Sequence, residues 1–356
     1  MFFGLTEDDA RGCLAEAYGL GPSEVTSVSL LPGSVMNPNW VVDLRDGGRF
    51  VARCFLRNQD PARLAFQMRF HAVLAEADLP VPTVLPDRHG CWLAAHGGHH
   101  WAVYAWVDGE DYDYARADQR EAAGRLVAEL HLALAGKDLP GYVVPAGYGS
   151  YSDWAERGGD LMAEAFSRAW AASLSDDDKT FALDLQRWLV RALPARDWER
   201  LPKQFIWSDF HGRNLKFQGA RVTGLFDFDV AHWESPMFDL GTGLYMLGRE
   251  ARGAFPIRLD AAADVVRGYA ARRPISRPEA RAVVPLLAYR YITEVEQPFP
   301  VPPGVEPASY VARASQILRV IHAAIPGLMS VLAGTAASGG APGGVAAVRA
   351  KPHVQS

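Results

Sequence analysis

The sequence holds no run of lysines or arginines and no basic stripe interleaved with aromatics; 36 Lys and Arg against 41 Asp and Glu leave a net charge of −5. Phosphate backbones select basic faces, so a nucleic-acid partner is not expected. Cysteine is scarce. Cys13, Cys54 and Cys91 are an odd number without metal-ligand spacing, which argues against a disulfide framework and sets a reducing cytoplasm as the expected location. The start, Met1-Phe2-Phe3 with Glu7, Asp8 and Asp9 close behind, lacks the basic region and apolar stretch of a signal peptide. Long hydrophobic runs are missing as well. The most apolar late segment, around residues 320–332, contains His322 and Pro326 and reads as too short to span a bilayer. No membrane partner is expected.

What is present is a chain of 356 residues, 49% hydrophobic and 22% charged, which is comfortable for two lobes. The first hundred residues read as an antiparallel sheet with one inserted helix. Residues 27–31, 40–44 and 50–56 are short β-prone runs, and Asp46-Gly47-Gly48 supplies a turn between the second and third. Asp60-Pro61 offers an N-cap and a proline at the first helical position, after which Phe66, Phe70, Val73 and Leu74 repeat at helical spacing up to Pro80 and Pro82. A further hairpin runs through 87–90 into 101–107. From Asp118 the texture turns helical: Leu126, Leu130, Ala133 and Leu134 mark an amphipathic helix with Gly136 as its C-cap. Residues 152–172, 176–193, 261–272 and 309–324 also read as helices. A β-rich patch interrupts them at 204–207, 214–217 and 221–228. The expected organisation is therefore α+β: a sheet-rich N-terminal lobe over 1–106, a larger helical lobe over 107–332, and a Gly/Ala/Ser-rich disordered tail over 333–356.

The informative stretch is Phe205-Ile206-Trp207-Ser208-Asp209-Phe210-His211-Gly212-Arg213-Asn214. A strand enters, a polar loop exposes Asp209, and Asn214 follows five residues later at the start of a second strand. Asp227 comes thirteen residues after that, between apolar neighbours, beyond a hairpin turning at Gln218-Gly219. Two oxygen-bearing side chains at the ends of paired strands can converge on a hard cation such as Mg²⁺. On the adjoining loop, Asp209 can accept or orient a hydroxyl proton during attack on phosphorus. Asp229 shares a strand face with Asp227 and reads either as an additional metal ligand or as a structural carboxylate. A two-metal hydrolase on Asp209, Asp227 and Asp229 is a competing reading, but it leaves Asn214 and the N-terminal lobe without a role. His96, His99 and His100 surround a Gly-Gly turn with no fourth ligand nearby and read as surface histidines.

The segment resembles the catalytic and metal-binding loops of the aminoglycoside phosphotransferase superfamily, which includes choline and homoserine kinases and has a protein-kinase-like bilobal fold. The family pattern is His-x-Asp-x-x-x-x-Asn followed by an Asp in a short apolar strand. The resemblance implies that Asp209 is the catalytic base and that Asn214 and Asp227 hold Mg²⁺. It implies too that Asp239, in Met237-Phe238-Asp239-Leu240-Gly241, caps a helix and steadies the catalytic loop. Residues 126–131, Leu-Val-Ala-Glu-Leu-His, resemble the family's helix before that loop.

By the same resemblance, Gly33 and Ser34 form a phosphate-covering loop, Arg53 stands where the family has a phosphate-binding Lys, and Tyr104, Trp106 and Val107 meet the nucleotide base. Gln67 takes the place of a Glu that should pair with the cation, and as a neutral amide it can hydrogen-bond to Arg53 without neutralising it. Trp207 replaces the usual His and can fill its space by packing. The implied cofactors are ATP, with GTP possible, and Mg²⁺, bound between the lobes. The implied partner is a small hydroxylated acceptor such as an aminoglycoside, amino sugar or amino alcohol. Asp111, Asp113, Glu294 and Glu296 are its acidic candidates, with solvated surface carboxylates as the alternative. A protein kinase of the same fold and a degenerate nucleotide-binding protein are the competing functions.

Overall fold

A computed structural model describes residues 4–33, 36–145, 149–296 and 306–338. The chain divides into two compact units. The first comprises Met1–Gly109, Leu139–Val143 and Thr223–Asp229; the second comprises Glu110–Asp138, Val144–Val222 and Val230–Ser356.

The first unit is built on β1 (Val25–Leu30), β2 (Asn39–Leu44), β3 (Arg49–Phe55), β4 (Val84–Leu85), β5 (Ala94–His96) and β6 (His99–Ala105), with helices α1 (Glu7–Tyr18) and α2 (Pro61–Glu76). The sheet order is β1-β2-β3-β6-β4, with β5 on β6, and the pairings are antiparallel. Side chains alternate across a pleated sheet, and the alternation assigns each face a helix. Trp40, Val42, Ala52, Cys54, Trp101 and Val103 bury against Ala10, Cys13 and Leu14 of α1. Phe55 and Ala102, on the other face, meet Leu64 and Met68 of α2. Arg53 and Tyr104 therefore belong to the α2 face. The sheet carries two helices where the sequence reading has one. The signal for α1 was present in Thr6-x-x-Asp9: Asp9 Oδ2 accepts from the Thr6 amide at 2.7 Å and from its hydroxyl at 2.8 Å. Asp60 caps α2 through the Ala62 amide at 2.8 Å, as its Asp-Pro start predicts. His96, His99 and His100 flank the turn at Gly97 and Gly98, and among the described residues no three His, Cys, Asp or Glu gather as a metal site.

The two returning segments complete this unit. Leu225 donates its amide to Pro80 O at 2.8 Å, and the Phe228 ring lies 5.2 Å from Phe70 and 5.7 Å from His71. Tyr142 stands 5.2 Å from Phe66.

The second unit contains β7 (Glu110–Asp111), α3 (Ala117–Leu134), α4 (Tyr151–Phe166), α5 (Asp176–Ala192), α6 (Ala195–Glu199), β8 (Gln204–Ile206), β9 (Leu215–Gln218), β10 (Arg221–Leu225, whose end enters the first unit), β11 (His232–Glu234), α7 (Pro236–Met246), α8 (Leu259–Ala270), α9 (Arg277–Glu296) and α10 (Pro307–Ser338). Small sheets β10-β9-β7 and β11-β8 sit among helices. The strand expected to reach residue 228 ends at Leu225, because Asp227 takes φ +64°, a left-handed conformation that cannot continue a strand. The helix expected over 152–172 is α4 followed by a separate 3₁₀ turn at Ala169–Ser173.

Helices α7 and α9 were not read from hydrophobic periodicity, and α7 entered only through the resemblance that has Asp239 cap a helix. Both are nearly buried all round, so neither shows an amphipathic stripe, and α9 contains Pro285. Helix α10 corrects two expectations. It continues through Ser338, six residues into the stretch read as a tail; residues 339–356 lie outside the described ones. At 32 residues it is not too short to cross a bilayer, and Pro307–Thr335 is apolar enough by composition. One face of it, Val311, Ala314, Leu318, Ile321, Leu328 and Leu332, is buried where it packs on α8 and α9, while most of the apolar stretch is not.

Candidate active site

In the second unit, β8 delivers the chain to the Asp209 loop. Phe205 and Ile206 pair with Trp233 and His232 of β11, which fixes the strand's end. Trp207 is fully buried, 5.6 Å from the Phe210 ring. The turn then bends sharply: Ser208 has φ +70°. A non-glycine residue held there stores backbone strain, and the surroundings must over-determine it. They do so through Asp239, whose carboxylate accepts from the Trp207 amide at 2.9 Å and the Ser208 amide at 2.6 Å. Arg290 of α9 donates Nη1 to Ser208 O at 2.8 Å. Asp239 lies in the first turn of α7 but is not its cap; Ser235 has that place. Behind Asp239 stands buried His131, with Nε2 at 3.0 Å from Asp239 and Nδ1 at 2.9 Å from the Tyr269 hydroxyl. Burial lowers the His131 pKa against the pull of Asp239, which favours a neutral ring accepting from Tyr269 and donating to Asp239.

Asp209 itself is held from three sides. Asn214 Nδ2 donates to its Oδ2 at 2.9 Å and to its backbone carbonyl at 3.1 Å, and His211 Nε2 stands 3.3 Å away. Burial alone would push this carboxyl up. The His211 imidazole, the Arg290 charge and the Asn214 amide outweigh it and hold Asp209 well below the usual carboxylate range. Its side chain keeps 24% of its exposure, so the anion is both fixed and reachable. Gly212 and Gly243 make the loop possible. A Cβ on Gly212 would lie 2.5 Å from the Tyr112 ring, and one on Gly243 would lie 2.5 Å from the Phe210 ring.

In the first unit, Arg53 is the centre of an acidic cluster. Its Nη2 lies 2.8 Å from Asp229 Oδ2 and 3.2 Å from Asp227 Oδ1. Asn37 Nδ2 also donates to Asp229, while Asn37 Oδ1 accepts from the Leu56 and Arg57 amides at 2.8 and 2.9 Å. Asp229 is thus engaged by two donors in a fixed frame. The Asp227 carboxylate is more open, with 36% of its exposure retained, and its left-handed φ aims it independently of the strand. Gln67 Nε2 donates to Asp229 O at 3.4 Å, and buried Arg63 donates to the same carbonyl at 2.7 Å. The charge of Arg53 is answered by the two aspartates. Tyr104 lies in the field of that cluster, with burial raising its hydroxyl pKa.

The remaining sequence candidates fall in different places. Gly33 takes φ +85° in an exposed turn, and Ser34 lies outside the described residues. Trp106 bonds its indole to Asp108 at 2.9 Å and its amide to Arg49 O at 3.1 Å; Val107 is half-buried beside it. Asp111 is an exposed partner of Lys216 at 2.6 Å, and Asp113 closes a local turn onto the Ala115 amide at 2.9 Å. Glu294 is buried, feels both Arg290 and Asp209, and is raised by burial to about 7. Glu296 accepts from Trp154 Nε1 at 2.7 Å and is raised by burial to about 8. Sequence reasoning missed Arg290 because it missed α9, and missed Asn37 as the brace of Asp229. His211, two residues after Asp209, was quoted but given no role.

With an antiparallel sheet unit, a mostly helical unit and an Asp-x₄-Asn loop tied down by a buried carboxylate, the chain has the α+β fold of kinase-like phosphotransferases. Residues 27–275 match the phosphotransferase enzyme family, and the chain belongs to that family. It is 28% identical over 282 residues to a homoserine kinase of Methylorubrum populi, covering 79% of this chain and 81% of the relative. Among solved structures it resembles a microcompartment-associated aminopropanol kinase, with a TM-score of 0.66 at 20% identity over 90% of this chain and 98% of that one. It also resembles an amicoumacin kinase in complex with AMP-PNP, Ca²⁺ and Ami, with a TM-score of 0.62 at 15% identity over 88% of this chain and 93% of the other. The protein is a phosphotransferase acting on a hydroxyl of a small molecule.

Proposed function

We propose that the chain moves the γ-phosphate of ATP to a hydroxyl of a small amine-bearing acceptor, with Asp209 positioning the attacking oxygen. The observation that carries this reading is the Asp209 carboxylate itself, kept ionised by His211, Arg290 and Asn214 yet still exposed. An anion so placed orients a hydroxyl and takes its proton as the new bond forms, which is the modest demand that a loose phosphoryl-transfer transition state makes of a base. The acceptor oxygen bonds to the γ-phosphorus while the bond from that phosphorus to the bridging oxygen breaks. ADP leaves with the bridging oxygen, and the proton passes through Asp209 to solvent.

Asn214 and Asp227 would hold Mg²⁺. The donor set suits it: Nδ2 of Asn214 is spent on Asp209, which turns Oδ1 away as a hard oxygen donor, and Asp227 offers an open carboxylate. The ion supplies charge neutralisation on the transferring phosphate. Asp229 serves on this reading as the fixed partner of Arg53, leaving the remaining guanidinium N–H groups of Arg53 for phosphate oxygens. Gly33 and the chain at Tyr104, Trp106 and Val107 would meet the nucleotide. Homoserine, the acceptor of the curated relatives, is the first compound to try. Asp209→Ala is expected to lower ADP release by about 10³-fold with nucleotide affinity nearly unchanged. Full turnover by that variant would remove Asp209 from the role. The Arg53 pairing with two aspartates favours one other reading, a nucleotide-binding protein without transfer, which tight ATP binding and no ADP from any hydroxylated acceptor would support.

A further inference from the structure

The charge of a buried carboxylate near a reacting base acts on that base without touching it. Glu294 of α9 is so placed, 5% exposed in a helix buried on nearly every side. It follows Arg290 by four residues, so the two side chains share one face of α9, a turn apart. Arg290 sends Nη1 to Ser208 O at 2.8 Å, the carbonyl that precedes Asp209. Asp209 and Glu294 are thus two anions in the field of one guanidinium, and each opposes the charge of the other.

Other groups surround Glu294. Tyr310, in the first turn of α10, donates its hydroxyl to the carboxylate, and exposed Arg313 adds a positive charge one turn later. Tyr245 near the end of α7, with the Arg249 guanidinium 5.1 Å from its ring centre, and Tyr291 beside Arg290 lie in the same field. The cations and the Tyr310 hydroxyl favour the ionised form. Burial outweighs them, with help from Asp209, and pushes Glu294 up to about 7. Neutral Glu294 leaves the full field of Arg290 on Asp209, a carboxylate held well below its usual range and to that extent a poor proton acceptor. Ionised Glu294 cancels part of that field, and Asp209 regains proton affinity while it stays an anion.

We propose that Glu294 is a positioning residue for the transfer, acting through Arg290: its carboxylate balances the guanidinium and so sets how readily Asp209 takes the proton of the acceptor. This rests on the reading of Asp209 as the base, and the experiment keeps the two apart. Glu294 itself neither touches the acceptor nor carries the proton. ADP release is measured from pH 6 to 9 with ATP, Mg²⁺ and homoserine or, where faster, aminopropanol as the acceptor. The full chain is compared with Glu294→Gln, Glu294→Asp, Tyr310→Phe and Asp209→Ala. Comparison at each pH cancels the titration of ATP and of the acceptor, which all variants share.

Glu294→Gln, neutral at every pH, is expected to match the wild-type kcat near pH 6 and to fall to about one fifth of it near pH 8, with the KM of the acceptor within about twofold. Glu294→Asp should restore the rise. Tyr310→Phe takes a donor from the ionised form and should move the wild-type rise upward by about one pH unit. That variant decides the matter if Glu294→Gln fails to fold; a rise left in place by it overturns the proposal. A Glu294→Gln defect of the same size at every pH overturns it as well, because that is what a merely structural role produces. So does a defect confined to KM, which would make Glu294 a contact of the acceptor. Each of these leaves the kinase reading intact where Asp209→Ala is inactive. Full turnover by Asp209→Ala, or no ADP from the wild type at any pH, removes both.

Discussion

Asp239 is a buried anion with three donors, two of them amides of the loop it restrains. Removing His131 leaves that anion one donor short in a site closed to water. His131→Ala is expected to cost about 3 kcal/mol in denaturant unfolding, and His131→Gln, which restores an N–H, clearly less. Turnover should fall with the first variant even where the protein stays folded, since Ser208 loses part of what holds its strained φ. At this scale the sequence was informative about which residues to propose as carriers of chemistry and poor about how they are held. Asp209, Asn214 and Asp227 stand out by type and spacing. Arg290 and Asn37 do not, because an arginine in a buried helix and an asparagine in a loop become braces only when distant segments meet them. The Gln67 amide illustrates the limit: its helix position was placed from the sequence, but its bond runs to a backbone carbonyl.

Elements were legible where a period survived. The alternation in β1, β2, β3 and β6 and the stripe of α3 follow directly from residues that bury one face. Helices α7 and α9 have no polar face to reveal them, and α7 contains Gly241 and Gly243, residues that read as breakers in isolation. The glycines are there for contact. Gly243→Ala would put a methyl group 2.5 Å from Phe210, and the ring has no open side to yield into because Trp207 lies 5.6 Å from it. This variant is expected to lose about 2 kcal/mol of stability despite the better helix propensity of alanine, and to lower kcat through the displaced loop. A gain in melting temperature would contradict the packing argument.

Across the whole molecule, buried carboxylates pull stability in opposite directions with pH. Asp209 is depressed, so its contribution is present above the ordinary carboxylate range and is lost as pH falls through its folded value. Glu296 is raised from 4.5 to about 8 by burial; its contribution is complete below 4.5 and is lost as pH rises through about 8. Glu296→Gln should therefore melt progressively above the wild type as pH goes from about 6 to about 9, by an amount on the order of 2 kcal/mol at the upper end. A gap that does not grow with pH would show that Glu296 is not the group responsible. Chain connectivity has a consequence of a different kind. Because Thr223–Asp229 belongs to the first unit, the backbone passes between units five times, and Arg53 is separated by more than 160 residues from the aspartates that answer its charge. Recombination between relatives at a single crossover after Gly109 would inherit the arginine from one parent and its counter-charges from the other. A working chimera has to exchange three separate stretches at once, so in such a chain the unit of heredity is not the unit of folding.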